Sequence, residues 1–143
     1  MTIVFDLDNT LVDALGSTVR PGIAELLGRL HREGHSLILW TNSRKERAQE
    51  ILRLHNLRRH FQAFIYREDY DPDERDVPKD IRRVRGDILI DDDPQAIAYV
   101  RSIGRKGILI RPFRKGRAAN RRELSDIYDL IRRETGFWRR LFR

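Results

Sequence analysis

The sequence predicts an α/β domain built on a doubly wound parallel sheet of about five strands. Three observations predict it. Short apolar runs alternate with amphipathic stretches along the chain. The apolar runs are continuous, as in strands covered on both faces. Three of them end in acidic, hydroxyl or amide residues, at the strand ends where such sheets place their ligand sites.

Residues 2–5 are the first apolar run and end in acids, which reads as a buried strand. Pro21 suits a first helical turn, and Ile23, Leu26, Leu27 and Leu30 follow at helical spacing up to Gly34. Residues 37–40 form the second strand. Ser43 and Glu46 have the spacing of a capping box, with Ala48, Ile51, Leu52 and His55 on one face of the helix that follows. Residues 61–66 read as a third strand and 67–79, acidic and proline-bearing, as a loop. Residues 88–90 form a fourth strand, again ending in acids. Asp93-Pro94 is a cap and first-turn proline, Ile97 and Val100 face inward, and Gly104 ends that helix. Residues 107–110 form a fifth strand. Leu124, Ile127, Tyr128 and Ile131 mark a last helix that ends near Gly136. The expected organisation is one domain over 1–135 and a basic aromatic tail over 136–143. The four histidines, 31, 35, 55 and 60, are read as surface or partly buried helix residues.

Composition narrows the function classes. The chain has 143 residues, 29 basic and 22 acidic, a net charge of +7 and no cysteine. Zero cysteine excludes a disulfide scaffold, a cysteine nucleophile and a thiolate metal site. No apolar run approaches the roughly 20 residues that span a bilayer, and no basic-then-apolar leader opens the chain. A cytoplasmic location without stable membrane insertion is expected. The charge is uneven: residues 1–80 hold 12 basic and 14 acidic side chains, residues 81–143 hold 17 and 8. Residues 101–122 carry nine basic groups and no acidic one, a block that attracts polyanions unless it is simply solvated surface.

The chemistry is expected at three strand ends: Asp6-Leu7-Asp8-Asn9-Thr10, Thr41-Asn42-Ser43 and Asp91-Asp92-Asp93. Each alone could be a helix cap or turn. Brought to one sheet edge they form a carboxylate cluster that repels itself unless a cation neutralises it. An all-oxygen donor set favours a hard ion, Mg²⁺ above all, which keeps waters and recruits phosphate oxygens.

These segments resemble the motifs of the haloacid dehalogenase (HAD) superfamily. Residues 3–11 are similar to its first motif, Asp-x-Asp-x-Thr after an apolar run, and residues 37–42 to its second. Lys79 stands at the place of the third-motif lysine, and residues 88–92 resemble the fourth, acidic motif. The resemblance implies an Mg²⁺-dependent phosphomonoester hydrolase. Asp6 would be the nucleophile that forms an aspartyl-phosphate, and Asp8 the general acid and base. Asp6, Asp91, Asp92 and the Asp8 backbone carbonyl would hold the metal. Thr41 and Asn42 would bind phosphate oxygens at a helix start, and Lys79 would orient Asp6 and the phosphate. Thr10 is expected to fix the turn, Asp93 to cap a helix.

About thirty residues separate Asp8 from Thr41, too few for a cap domain beside a core helix. An uncapped, open site is expected, which points to a macromolecular substrate or to an oligomer that supplies a lid. Residues 20–22, 66–68, 77–81 and 123–127 resemble pieces of the RNA polymerase C-terminal-domain phosphatases and their relatives, capless enzymes that act on phosphoserine in proteins. The chain departs from them at Asn9, where they have Glu, at Asp92, where they have Asn, and in lacking room for their small β insertion. The expected substrate is therefore a phosphorylated macromolecule such as a phosphoprotein. The alternative is a nucleic-acid 3′-end phosphatase, with 101–122 tracking the backbone. A non-catalytic basic binding module is the reading from another class, and intact Asp6 and Asp8 weigh against it.

Overall fold

The computed structural model describes residues 1–116 and 121–141, the last five as backbone only. Its elements are β1 (Thr2–Phe5), α1 (Ile23–Arg32), β2 (Ser36–Trp40), α2 (Lys45–Leu54), β3 (Ala63–Ile65), α3 (Arg67–Tyr70), β4 (Ile88–Asp91), α4 (Pro94–Ser102), β5 (Lys106–Leu109) and α5 (Arg121–Leu141), with one-turn 3₁₀ segments at Arg58–His60 and Ile81–Val84. One parallel sheet runs in the order β3-β2-β1-β4-β5. The chain leaves β1 toward β3 on one side and later toward β5 on the other. That reversal beside β1 opens the crevice in which open α/β sheets hold ligands.

The two faces of the sheet are filled by alternate strand residues. Ile3 and Phe5 of β1 lie in the core formed with α1, α2 and α5, including Leu27, Leu30, Leu52 and Ile127. Val4 lies in the opposite core with Trp40, Ile81, Leu89, Ile97 and Val100. Burying each large apolar side chain contributes roughly 1.5–3 kcal/mol, so these paired cores hold β1 and the residues after it firmly. No cap domain separates β1 from β2. No helix among the described residues is long and apolar enough to cross a membrane.

Five local expectations change. Pro21 stands outside α1, which opens at Ile23 after Gly22 at a left-handed φ of 86°. Ser43 does not cap α2. The helix starts at Lys45 with no side-chain cap from its own chain end. Instead the Lys45 N–H donates to both oxygens of Glu68, at 3.0 and 3.1 Å. Residues 67–70, expected as loop, form α3, because the Asp69 carboxylate accepts the Tyr66 N–H at 2.8 Å and Tyr70 is buried. The last helix passes through Gly136 to Leu141. Gly34 and Gly104 end their helices at φ of +92° and +80°, where other residues are strained. Gly136 needs no such conformation and has an open surrounding, so it only weakens the helix. His35 and His60, read as surface or partly buried, are buried.

The basic stretch is also divided. β5 enters at Lys106 beside Ile88 and leaves at Leu109 beside Asp91. Arg101, Arg105 and Lys106 therefore stand at the edge where strands begin. Arg111, Arg114 and Lys115 stand at the edge where they end, where the Phe113 N–H donates to the Asn9 carbonyl at 2.7 Å. Residues 117–120 of this stretch, and 142–143 of the tail, lie outside the described residues.

Candidate active site

Strand ends β1, β2 and β4 bring the expected residues to one edge. The Asp6 N–H still donates to Ile90 of β4 at 3.1 Å, so the ladder itself places Asp6. Beyond it the chain turns sharply. The Leu7 carbonyl accepts from the N–H groups of Thr10, Leu11 and Val12, and Asn9 takes a left-handed φ of 64°. Buried Arg20 clamps this turn: Nε donates to the Thr10 carbonyl at 2.7 Å and Nη2 to the carbonyls of Asn9 (3.0 Å) and Arg111 (2.5 Å). Glu123 of α5 pairs with the same guanidinium at 3.4 Å. Residues 20 and 123 entered the sequence reading only as fragments of a resemblance. Their shared task is to lock the turn that carries Asp8.

Lys79 reaches the floor of the site from the segment before β4. Its Nζ lies 2.9 Å from Asp6 Oδ1 and 2.7 Å from Asp91 Oδ2, with all three side chains almost fully buried. The Thr10 hydroxyl lies 3.1 Å from Asp6 Oδ2 and 3.4 Å from Asp92 Oδ1, so Thr10 both shapes the turn and holds the first carboxylate. Burial pushes Asp6 and Asp91 up to about 6, against the pull of Lys79. Burial raises Asp92 as well. Burial alone would lower Lys79, but the facing Asp6 and Asp91 hold it above its ordinary value. One ammonium, paired with Asp6 and Asp91, thus stands in a cluster of three carboxylates, and the cluster is short of positive charge.

Oxygens of Asp6, Asp91 and Asp92 lie within 4.8 Å of one another, the separation at which one cation can bridge them. The set is all oxygen, anionic and mostly buried, and so fits a hard divalent ion. The Asp8 carboxylate is turned to Arg47 instead. Asp93 has the capping task expected of it, accepting the Gln95 N–H at 2.9 Å.

The β2 end forms the opposite wall. Thr41 is buried, and its hydroxyl oxygen accepts the Ser43 N–H at 3.0 Å. Asn42 Oδ1 accepts from Tyr70 Oη at 3.2 Å and from Arg67 Nε at 3.3 Å. Two donors on the carbonyl oxygen fix the rotamer and leave the amide N–H₂ as the Asn42 group available to an acceptor. Arg47 Nη1 lies 2.9 Å from Asp8 Oδ1 as an ion pair, and makes hydrogen bonds to Asp8 Oδ2 (3.0 Å) and Ser43 Oγ (2.9 Å). Its Nη2 donates to the Ala14 carbonyl at 3.0 Å. Burial raises the Asp8 carboxyl, and Arg47 draws it back.

These groups line a cavity of about 620 Å³. Asp6, Thr41, Lys79 and Asp91 line it, as do Arg67, Val77 and Pro78. The expected open site therefore has a wall, built from α3 and the segment after it. Sequence reasoning missed Arg47, Arg67 and Tyr70. Ser43 had already been explained as a cap, which hid its partner Arg47 one helical turn on. Tyr70 sat in a supposed loop.

The chain matches the model of the NLI interacting factor-like phosphatase family over residues 1–136. Among solved structures it is similar to a HAD-superfamily hydrolase from Ehrlichia chaffeensis, at 15% identity and a TM-score of 0.65, covering 92% of this chain and 96% of that one. It is similar to the D,D-heptose 1.7-bisphosphate phosphatase of B. bronchiseptica, solved with magnesium and phosphate, at 14% identity and a TM-score of 0.61, covering 93% and 98%. A third likeness is to the Pnkp1/Rnl/Hen1 RNA repair complex, at 16% identity and a TM-score of 0.61, covering 78% of this chain and 42% of that one. No curated protein matches the sequence. At these identities the solved structures show a shared fold alone, and the family match over nearly the whole chain goes further: the chain belongs to the NLI interacting factor-like phosphatases.

Proposed function

We propose that this phosphatase hydrolyses phosphomonoesters through an aspartyl-phosphate on Asp6, with Mg²⁺ as cofactor. The observation that carries the reading is the division of labour between its first two carboxylates. Asp6 is buried and aimed by Lys79 and Thr10, whereas Asp8 stands apart from that cluster on the cavity wall.

An Asp6 oxygen attacks phosphorus in line while the bond from phosphorus to the leaving oxygen breaks. Asp8, protonated, gives its proton to that oxygen. Asp8 then takes a proton from water as the water oxygen attacks phosphorus. The bond to Asp6 breaks, and inorganic phosphate leaves. Thr41 and the Asn42 amide hold the non-bridging oxygens, and Lys79 keeps Asp6 in the attacking orientation. Asp6, Asp91, Asp92 and the Asp8 carbonyl would hold Mg²⁺, which when bound would supply positive charge against the repulsion between nucleophile and phosphoryl group.

The proposed substrate is a phosphorylated macromolecule such as a phosphoprotein, because no cap domain closes over the cavity, and the proposed compartment is the cytoplasm. A nucleic-acid 3′-phosphate is the second reading. Arg111, Arg114 and Lys115 favour it, since they flank the turn that carries Asp8. A non-catalytic binding module is disfavoured by the intact Asp6, Asp8 and Lys79.

The test is Mg²⁺-dependent turnover of an aryl phosphate by the wild type and by Asp6→Asn. Wild-type turnover that vanishes with chelator and in Asp6→Asn is expected; full activity in Asp6→Asn would overturn the mechanism. Comparing a phosphoserine peptide with a 3′-phosphorylated oligonucleotide across salt concentrations separates the substrates. A steep salt dependence confined to the oligonucleotide supports the second.

A further inference from the structure

Lys79 is committed to Asp6 and Asp91 on the cavity floor. Two more cations line the same cavity, Arg47 and Arg67, and both are tied to the Thr41–Ser43 wall where the transferred phosphoryl group would sit. Arg47 holds Ser43 Oγ, and Arg67 holds Asn42 Oδ1 while its own N–H donates to the Ser43 carbonyl at 3.1 Å. Two guanidiniums on consecutive residues of one wall exceed what a single phosphoryl group needs once Thr41, Asn42 and Lys79 are in place.

Neither arginine is matched to its present carboxylate. A fork-to-fork pair uses two guanidinium nitrogens on two oxygens. Arg47 reaches Asp8 through Nη1 alone, and only Oδ2 receives a hydrogen bond in proper geometry. Arg67 pairs with Glu74 through Nη1, and Glu74 is 57% exposed. A solvated carboxylate of that kind is displaced at little cost, and a phosphate suits the planar guanidinium better. The cavity is also roomy. At about 620 Å³ it falls within the roughly 300–1,000 Å³ typical of small-molecule sites.

The geometry points to a second anion subsite: Arg47 and Arg67 bind a phosphate that the substrate carries a few bonds from the one being hydrolysed. The assignment rests on the phosphatase reading above but not on its phosphoprotein substrate, which it replaces with a substrate that carries two phosphates. That second phosphate is supplied either by a small bisphosphorylated compound or by the backbone next to a phosphorylated polynucleotide end. The Arg47–Asp8 contact then serves the apo site. The incoming phosphate takes Arg47, and Asp8 is released to face the leaving group.

The experiment compares kcat/KM for thymidine 3′-monophosphate, thymidine 5′-monophosphate, thymidine 3′,5′-bisphosphate and a 3′-phosphorylated oligothymidylate, in the wild type, Arg47→Met and Arg67→Met. At least one substrate with a second phosphate should be preferred over the monophosphates by about tenfold or more, the scale of a charge-assisted pair. In each variant that ratio should collapse toward one. Preference for the bisphosphate alone assigns a small substrate; preference for the oligonucleotide assigns a polymer end. A residue with only a structural task would lower all four substrates together and leave the ratio intact. Equal kcat/KM across the set, or a preference unchanged in both variants, overturns the proposal. Calorimetry on Asp6→Asn with the same ligands reads the ratio as affinities without turnover. Loss of aryl phosphate turnover in the wild type would thus refute the mechanism while the affinity ratio still judges the subsite.

Discussion

The floor and the rim of the cavity are both built from ion pairs, yet they are different kinds of structure. On the floor, Lys79, Asp6 and Asp91 have side chains between 2% and 9% exposed. On the rim, Arg47 is 41% and Asp8 29% exposed. Buried charges cannot exchange their partner for water, so each depends on the others, and removing one strands the rest. Rim pairs lose little when water replaces the partner. The floor therefore keeps one geometry, while the rim is free to trade partners when a substrate arrives.

Lys79→Met tests this contrast most severely. It leaves Asp6 and Asp91 facing each other in a buried site, and should cost about 3 kcal/mol or more of folding stability in the metal-free protein. Turnover of aryl phosphate should fall by about a hundredfold or more, since Asp6, the proposed nucleophile, would lose its orientation. Thermal unfolding in chelator together with steady-state kinetics checks both. A stable, active Lys79→Met protein would mean that the floor is no more coupled than the rim.

The next effect is the response to pH and metal. Asp6 and Asp91 have folded values near 6, above the unfolded value of 3.8, with burial as the main cause. The folded state thus binds more protons in that window. Their contribution to stability is full below about pH 4 and is lost as pH rises through 6. Unfolding of the metal-free protein should show Asp6→Asn gaining on the wild type between pH 5 and 7, as a charge is removed from a site short of cations. Millimolar Mg²⁺ should stabilise the wild type more at pH 7.5 than at pH 5, and should act weakly on Asp6→Asn. A Mg²⁺ effect that is the same at both pH values would remove the floor carboxylates from the proposed metal site.

The smallest expected effect is on the rim. Arg47→Met should change folding stability by less than about 1 kcal/mol, as exposed pairs do. A loss as large as that of Lys79→Met would show that the rim, too, is fixed.

Most of the fold was legible because its determinants are local. Continuous apolar runs, Asp93-Pro94, Gly34 and Gly104 each act within a few residues, and the observed strands lie within one or two residues of the expected ones apart from β3, which is shorter. The strand ends were legible for the same reason, since in a parallel sheet every strand ends at the same edge. Lys79 had only its position to recommend it, and its partners lie 73 and 12 residues away. Ser43 misled because its spacing to Glu46 fits a cap, whereas the tertiary structure offers Glu68 to the helix end and Arg47 to the hydroxyl. Gly136 misled because a glycine ends a helix only where a left-handed turn is required.

The sequence by itself determined the order of the strands and of the four longer helices, the two-sided cores and the set of acidic and hydroxyl groups at one edge. These follow from periodicity and composition, which neighbouring residues share. Only the tertiary structure decided which charges meet. Arg47 reaches Asp8 across 39 residues, Arg20 reaches Glu123 across 103, and the basic run is split between two edges because β5 passes through it. A side chain's charge is written in the sequence, but its partner is set by the packing of elements far apart in the chain.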